Sequence, residues 1–430
     1  IILWPLSIFC YQDSLDVSKP PFLNQKNQSD IDFIVENAPD TTAFLRVESL
    51  ARPIINKALS QNKILNVDFK EAADIYEWAK IVFTEKDKTY DTTYFEKMIE
   101  ILTRKELPRW ATPLNGQINT KRNEYWPSVY FDLSNPDNKE LYFTRLRKNE
   151  DVFVSTYNEK TMSWSKGKSL GIINTSYLNE ASFSLSNNGR IMVIYRSLVD
   201  EPEKSDLYLS YRLEGKWREP VILPSPINLP DSYEGGGFIT KDDKYIIFSS
   251  DRAGGIGSHR PKKGNKWGNQ DLYVAERIDE SSWAEPMNLG SVINTSKAEV
   301  TPYLSPDGLT LFFSSSGHPG LGGTDVLKST RSNRYDWSNW TEPLNLGKQL
   351  NTAKDDESFK VNPNATIAYF DSQNKTDGNR DIWQIKLIPS KSTPPTPGEG
   401  PPTPGEGPPT PGEGPPTPGE EPPTPGEEPP

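Results

Sequence analysis

Five glutamates recur through the middle of this chain, Glu124, Glu180, Glu234, Glu299 and Glu357, each following a polar turn and preceding a strand-like run. Gathered into a ring, such carboxylates would bind a cation or the basic end of a peptide. A carboxylate repeated in every unit also makes framework, because it can accept backbone N–H bonds from the Asn-Thr turn before it. Functional sites tend to break a repeat's symmetry, which weighs toward framework, and both readings stay open. A second series, Asp151, Asp206, Asp271, Asp325 and Asp381, opens a later strand of each unit and has the stronger structural claim.

What must position these groups is a repeat. Copies begin at Trp110, Trp164, Trp217, Trp283 and Trp340, at intervals of 54, 53, 66 and 57 residues. The clearest two, from Trp283 and Trp340, run Trp, Pro, Asn-Leu, Asn-Thr, an acidic residue, a strand, a turn, a second strand and an Asp that opens a third. Ile246 and Phe248 alternate with Tyr245 and Ile247 in the two-residue period of a strand. Pro306-Asp307-Gly308 supplies a fixed negative φ and then a glycine for a positive one. A period of this size with about four short strands per unit predicts a β-propeller, since one blade must stack on neighbours to bury both faces. The repeat region enters at Trp110 and leaves with the strand at Asp381-Ile382-Trp383, so its first strand can complete its last unit. The expected fold is mainly β: a five-bladed propeller, with six blades as the alternative.

Ser305-Pro306-Asp307-Gly308, Leu311-Phe312-Phe313-Ser314-Ser315, Gly322-Gly323-Thr324-Asp325 and Trp340-Thr341-Glu342-Pro343-Leu344-Asn345-Leu346-Gly347 resemble the WD40-like propeller repeats of the bacterial cell envelope. Similar repeats occur in TolB and in propellers that precede OmpA-like peptidoglycan-binding domains. The resemblance covers about 280 of the 430 residues. It implies that the strand after each glutamate is innermost, which puts the five carboxylates at one mouth of a central channel. Of chemistry it implies little, since propellers host unrelated functions.

Departures from the repeat are the other candidates. The third copy carries an insertion from Arg252 to Gln270 that combines Arg252, His259, Arg260, Lys262, Lys263 and Lys266 with Trp267. Such a loop would recognise an acidic or glycan ligand, with Trp267 as a stacking platform, and it reads equally well as a solvated loop. His259 and His318 fall in equivalent loops of adjacent copies but have no clustered Cys or carboxylate, so no metal is expected. Asp377-Gly378-Asn379-Arg380-Asp381 has calcium-loop spacing, yet Ile382 stands where such a loop needs glycine.

The sequence shows no strand-to-helix nucleophile elbow, the Gly-x-Ser-x-Gly letters of Gly167–Gly171 falling inside a repeat copy, and no phosphate-binding glycine loop. The expectation is therefore a noncatalytic, monomeric scaffold without cofactor, binding an envelope protein, peptidoglycan or another glycan. The rival is a glycosidase-like propeller enzyme, which needs two carboxylates at a set separation near the channel mouth.

The ends complete the division. Residues 1–21 read as a signal or anchor remnant: the apolar run Ile1–Phe9 is too short to span a bilayer and leads to Cys10, the only cysteine and a candidate for lipidation. That predicts an exported outer-membrane lipoprotein or periplasmic protein, with the membrane touched only through the lipid. Residues 22–108 read as helical, with helices after Asp68 and after Asp91 or Thr92, and one over Phe44–Leu59 interrupted at Pro53. Residues 109–389 hold the repeats, and 390–430 form a Pro-Gly-Glu tail expected to be disordered. The seven glutamates after Pro394 supply seven of the eleven net negative charges, so the acidity belongs mostly to the tail and no basic field favours nucleic acid.

Overall fold

A computed structural model describes residues 27–60, 69–105, 111–115, 117–131, 139–186, 189–256, 269–362, 365–373 and 378–387. Cys10, Trp110, Asp377, the Pro-Gly-Glu segment and, in the insertion, His259, Arg260, Lys262, Lys263, Lys266 and Trp267 lie outside them. The remaining repeat region forms five antiparallel sheets. The first holds β2 (Glu124–Phe131), β3 (Lys139–Leu146), β4 (Glu150–Asn158), β5 (Ser163–Trp164) and β6 (Lys168–Ser169). The second holds β7 (Leu178–Leu185), β8 (Ile191–Leu198), β9 (Glu201–Leu213), β10 (Lys216–Trp217) and β11 (Val221–Ile222). In the third are β12 (Glu234–Ile239), β13 (Tyr245–Ser250), β14 (Asp271–Glu276) and β15 (Met287–Asn288), and in the fourth β16 (Glu299–Leu304), β17 (Thr310–Ser315), β18 (Asp325–Thr330) and β19 (Leu344–Asn345). The fifth joins β20 (Asp356–Val361), β21 (Ile367–Ser372) and β22 (Asp381–Lys386) to β1 (Thr112–Pro113), the strand that opens the repeat region.

The first strands of the sheets pack in a closed cycle: β2 on β7, β7 on β12, β12 on β16, β16 on β20, and β20 back on β2. The chain is thus mainly β with a β-propeller arrangement. Both faces of a strand are apolar because both are covered. Ile246 and Phe248 join the core shared with Val193 and Leu207 of the second sheet, while Ile247 joins the core shared with Leu311 and Phe313 of the fourth.

Two repeated devices shape the ring. Each inner strand carries a β-bulge, and at four of them one residue is left-handed: Trp126 (φ 53°), Gly236 (φ 58°), Thr301 (φ 50°) and Ser358 (φ 60°). A bulge turns the strand's free N–H groups sideways, where neighbouring sheets take them up: Ser358 N donates to Thr301 Oγ1 at 3.1 Å and Trp126 N to Asp371 Oδ1 at 3.0 Å. The second device is an asparagine clamp. Asn119, Asn174, Asn228, Asn294 and Asn351 each accept from the N–H and donate to the C=O of one third-strand residue, respectively Ile382, Val152, Leu207, Leu272 and Val326. This is why the repeat spells Asn at that place.

Four helices precede the sheets: α1 (Gln28–Asn37), α2 (Thr41–Ser60), α3 (Lys70–Lys86) and α4 (Thr93–Thr103). α1 was not expected from the sequence, and α2 runs through Pro53 rather than stopping at it. Their apolar faces close on Phe69, Tyr76, Trp78, Phe83 and Phe95, with Leu321 of the fourth sheet's loop inserted among them. The helices dock there by charge-assisted caps. Lys348, 3% exposed, donates to the carbonyls of Leu102 at 2.9 Å and Arg104 at 3.0 Å at the end of α4, and Arg52 donates to Gly320 O at 2.8 Å. No described helix is long and apolar enough to cross a membrane.

Candidate functional site

Register fixes where the repeated carboxylates go. At the same end of every sheet an inner-strand acid lies opposite a second-strand residue, and that residue lies opposite the third-strand Asp. The rows read Glu124–Arg145–Asp151, Glu180–Arg196–Asp206, Glu234–Ser250–Asp271, Glu299–Ser315–Asp325 and Asp356–Ser372–Asp381. The inner acids are fully buried and bound by the turn that precedes them: Thr120 N donates to Glu124 at 2.8 Å, Thr175 N to Glu180 at 3.2 Å, Leu229 N to Glu234 at 3.3 Å, Thr295 N to Glu299 at 2.7 Å and Thr352 N to Asp356 at 2.5 Å. They are hydrogen-bond acceptors for the backbone, not an open ring at a mouth. The fifth member is Asp356 rather than Glu357, because one step along a strand moves a side chain to the other face.

A cation accompanies three of these acids. Arg145 Nε lies 2.7 Å from Glu124 Oε1, Arg196 Nε 3.7 Å from Glu180 Oε1, and Arg252 Nη2 3.3 Å from Glu234 Oε1. Each arginine also donates to the isoleucine carbonyl just before a clamp asparagine: Ile118, Ile173 and Ile227. In the fourth sheet His318 takes that role, its Nε2 donating to Ile293 O at 2.9 Å. Arg252 and His318 are therefore internal braces, not ligand-recognition or metal-binding side chains. Burial lowers the pKa of His318, so it brings no charge, and Glu299, held by Ser315 and Thr295 alone, is pushed by burial up to about 7.

A pH dependence of stability follows. A folded-state pKa above the unfolded value of 4.5 means that the folded chain holds this proton more tightly. Stability from Glu299 is full below pH 4.5 and is lost as pH rises through 7, by about 3 kcal/mol. Glu299→Gln, which keeps the neutral shape, is expected to flatten the fall in Tm between pH 4.5 and 8 and to raise Tm at pH 8. An unchanged slope in the variant would show that Glu299 is already ionised.

The chemistry gathers one step away from the framework rows, at positions where the copies differ. Directly after the inner acid stand Tyr125, Ala181, Gly235, Val300 and Glu357; opposite them stand Thr144, Tyr195, Ser249, Ser314 and Asp371. Just before the third-strand Asp stand Glu150, Ser205, Gln270, Thr324 and Arg380. The first, second and fifth sheets thus bring tyrosines, carboxylates and one arginine to the same end of the ring, while the third brings Gly235, Ser249 and Gln270 and the fourth Val300, Ser314 and Thr324.

Their contacts are specific. Tyr125 Oη donates to Glu150 Oε1 at 2.6 Å, and Glu150 Oε2 is enclosed with no hydrogen-bond partner among the described residues. Burial raises the pKa of Glu150, against the hydroxyls of Tyr125 and Tyr195, which pull it down. On the neighbouring fifth sheet Arg380 Nη1 lies 2.6 Å from Glu357 Oε2 and 3.0 Å from Asp371 Oδ2, with Asp355 at 3.5 Å from Nη2. Burial works against the charge on Arg380, yet Glu357 and Asp371 keep it protonated; burial also lifts Asp371 to about 6, with Arg380 opposing. The Tyr233 ring, 6.3 Å from that of Tyr195, ties the two sides together: burial raises its pKa, and the charges of Glu150, Glu357 and Asp251 add to the rise. An enclosed carboxyl on the first sheet and an ion-paired carboxylate on the fifth thus both act on the Tyr233 phenol. Among the described residues no group of three or more His, Cys, Asp or Glu is placed to hold a metal ion.

Of the sequence candidates, Glu357 alone belongs to this cluster. Tyr125, Glu150, Tyr195, Tyr233, Asp371 and Arg380 were missed. Their signal was present as letters that change between copies beside letters that do not.

The chain matches no protein-family model and no curated protein. It is similar in structure to an α-L-arabinofuranosidase from Podospora anserina, solved in complex with cellotriose, at 11% identity and a TM-score of 0.44 over 65% of this chain and 96% of that one. An endo-arabinase from Bacteroides thetaiotaomicron is similar at 12% identity and a TM-score of 0.43, over 66% of this chain and 98% of that one. A thermostable family-43 glycoside hydrolase is similar at 13% identity and a TM-score of 0.43, over 66% and 94%. The expectation of a protein without catalysis is corrected here, because these similar proteins are enzymes by name. Glycoside hydrolysis needs neither a nucleophile elbow nor a phosphate loop, only two placed carboxyl groups.

Proposed function

We propose that this chain is a carbohydrate-active hydrolase on a propeller of five blades, each sheet counted as one blade, with its reaction at the end of the ring that carries Glu150 and Glu357. The single observation that carries the reading is the unlike environment of two carboxyl groups at one end of the ring. Glu150 is enclosed and inclined to keep its proton; Glu357 is ion-paired to Arg380 at 2.6 Å. Two carboxyl groups in unlike environments are what glycoside hydrolysis uses, one giving a proton to the leaving oxygen and the other meeting the oxocarbenium-like carbon or the attacking water.

In this reading Glu150 is the general acid and Glu357 the second carboxylate. Arg380 and Asp371 are positioning residues: they fix Glu357 and balance its charge. Tyr125, Tyr195 and Tyr233 supply ring faces and hydroxyls suited to a sugar, which presents C–H faces and many hydroxyls. Export to a bacterial envelope is part of the same proposal, supported by the apolar run before Cys10 and by the resemblance of the repeats.

The test is turnover of a panel of 4-nitrophenyl glycosides and of arabinan and xylan oligosaccharides, with α-L-arabinofuranosides included because similar proteins act on arabinose-containing glycans by name. Release of nitrophenol or of a new reducing end supports the reading. No turnover and no retained glycan on any member overturns it.

A further inference from the structure

Deeper among the inner strands lies a group that the proposed reaction does not use. Beyond the bulges, the five inner strands converge on a cavity of about 40 Å³ lined by Ser128, Tyr130, Leu185, Phe238, Tyr303 and Lys360. Lys360 lies on β20, 8% exposed. Its Nζ donates to Pro127 O at 2.9 Å, one bond for a group that as an ammonium carries three donors. The charged group facing it is Asp371 on β21; β2 and β16 contribute the phenols Tyr130 and Tyr303, while β7 and β12 present Leu185, Ser186 and Phe238. An amine there stands in apolar and phenolic walls with open space beside it, the setting in which a lysine gives up its proton and becomes a nucleophile.

We propose that Lys360 makes this cavity a carbonyl-binding site, taking a small aldehyde as an imine. The Nζ lone pair attacks the carbonyl carbon, and the carbonyl oxygen gains a proton to give a carbinolamine. Loss of water then leaves the C=N bond, and no electrons are exchanged. The cavity admits a ligand of a few heavy atoms, so formaldehyde and acetaldehyde fit where an intact sugar ring does not. Supporting the geometry, burial pushes the Lys360 amine down to about 7, with Asp371 opposing.

The experiment is competitive reductive methylation of the folded full chain at pH 7 with limiting formaldehyde and cyanoborohydride, which traps the imine as a methylated amine, mapped by mass spectrometry. An ordinary exposed lysine is neutral in fewer than about one molecule in a thousand at this pH. Lys360 is therefore expected to be methylated at least roughly tenfold faster than the exposed Lys70 and Lys204, even after allowance for its weaker basicity and narrower access. In urea the advantage disappears. Methylation of Lys360 at or below the rate of Lys204 in the folded chain overturns the proposal, and needs no variant to fold.

Discussion

Glu150→Gln is expected to lower kcat/KM for glycoside hydrolysis by roughly 10²–10⁴-fold, the usual worth of a positioned general acid, while leaving KM close to that of the parent. Gln still accepts the bond that Tyr125 gives at 2.6 Å, so the fold and the wall of phenols remain. The pH profile separates this from a structural loss. With Glu150 as the acid, activity falls on the alkaline side as its proton leaves, and the limb vanishes in the Gln variant. Tyr125→Phe removes a bond that favours the charged form, so it is expected to move that limb to higher pH. Glu357→Gln should cost a similar factor without moving the alkaline limb. Full activity in Glu150→Gln, on a substrate that the parent turns over, sinks the assignment.

The largest effect on stability is expected at Asn119. Its amide accepts from Ile382 N at 2.9 Å and donates to Ile382 O at 2.8 Å and Leu114 O at 3.1 Å, all in the buried seam where the start of the repeat region meets its end. Asn119→Ala strands a buried N–H and carbonyls that cost about 1–3 kcal/mol each, so a loss of roughly 3–5 kcal/mol is expected. Asn294→Ala removes the equivalent clamp on Leu272, in the interior of the ring. If clamps act alone, urea denaturation gives similar losses for both. If closure is the weak seam, Asn119→Ala also exposes β22 to protease at urea concentrations where Asn294→Ala stays resistant. Losses below 1 kcal/mol in both would show that water replaces the amide and that the clamp contributes little.

Much of this was legible in the sequence because most repeated letters are framework. Trp, Asn, Thr and the inner acid recur because every sheet must solve the same hydrogen-bonding problem, and the alternation around Ile246 to Phe248 reports strands covered on both faces. The fifth copy misled by one residue. Three acids stand in a row, Asp355, Asp356 and Glu357, and matching residue type selected the wrong one, whereas counting from Thr352 as from Thr120 or Thr295 selects Asp356. The basic insertion drew attention by its composition, yet its first residue, Arg252, is a buried brace for Glu234. The mouth cluster was hidden for the opposite reason. Glu150 and Arg380 occupy one repeat position in different copies, about 230 residues apart, and only closure of the ring shows that they serve the same end.

That closure has a consequence for how the chain comes into being. β1 and β22 are separated by the whole repeat region, so the seam between them is among the longest-range pairings in the protein. During synthesis the early sheets can stack as they emerge, but β1 has no partner until β22 has left the ribosome. For most of its time as a nascent chain the protein carries an orphan strand and an unfinished arc, both able to pair with the wrong neighbour. Folding here is timed by its last strand.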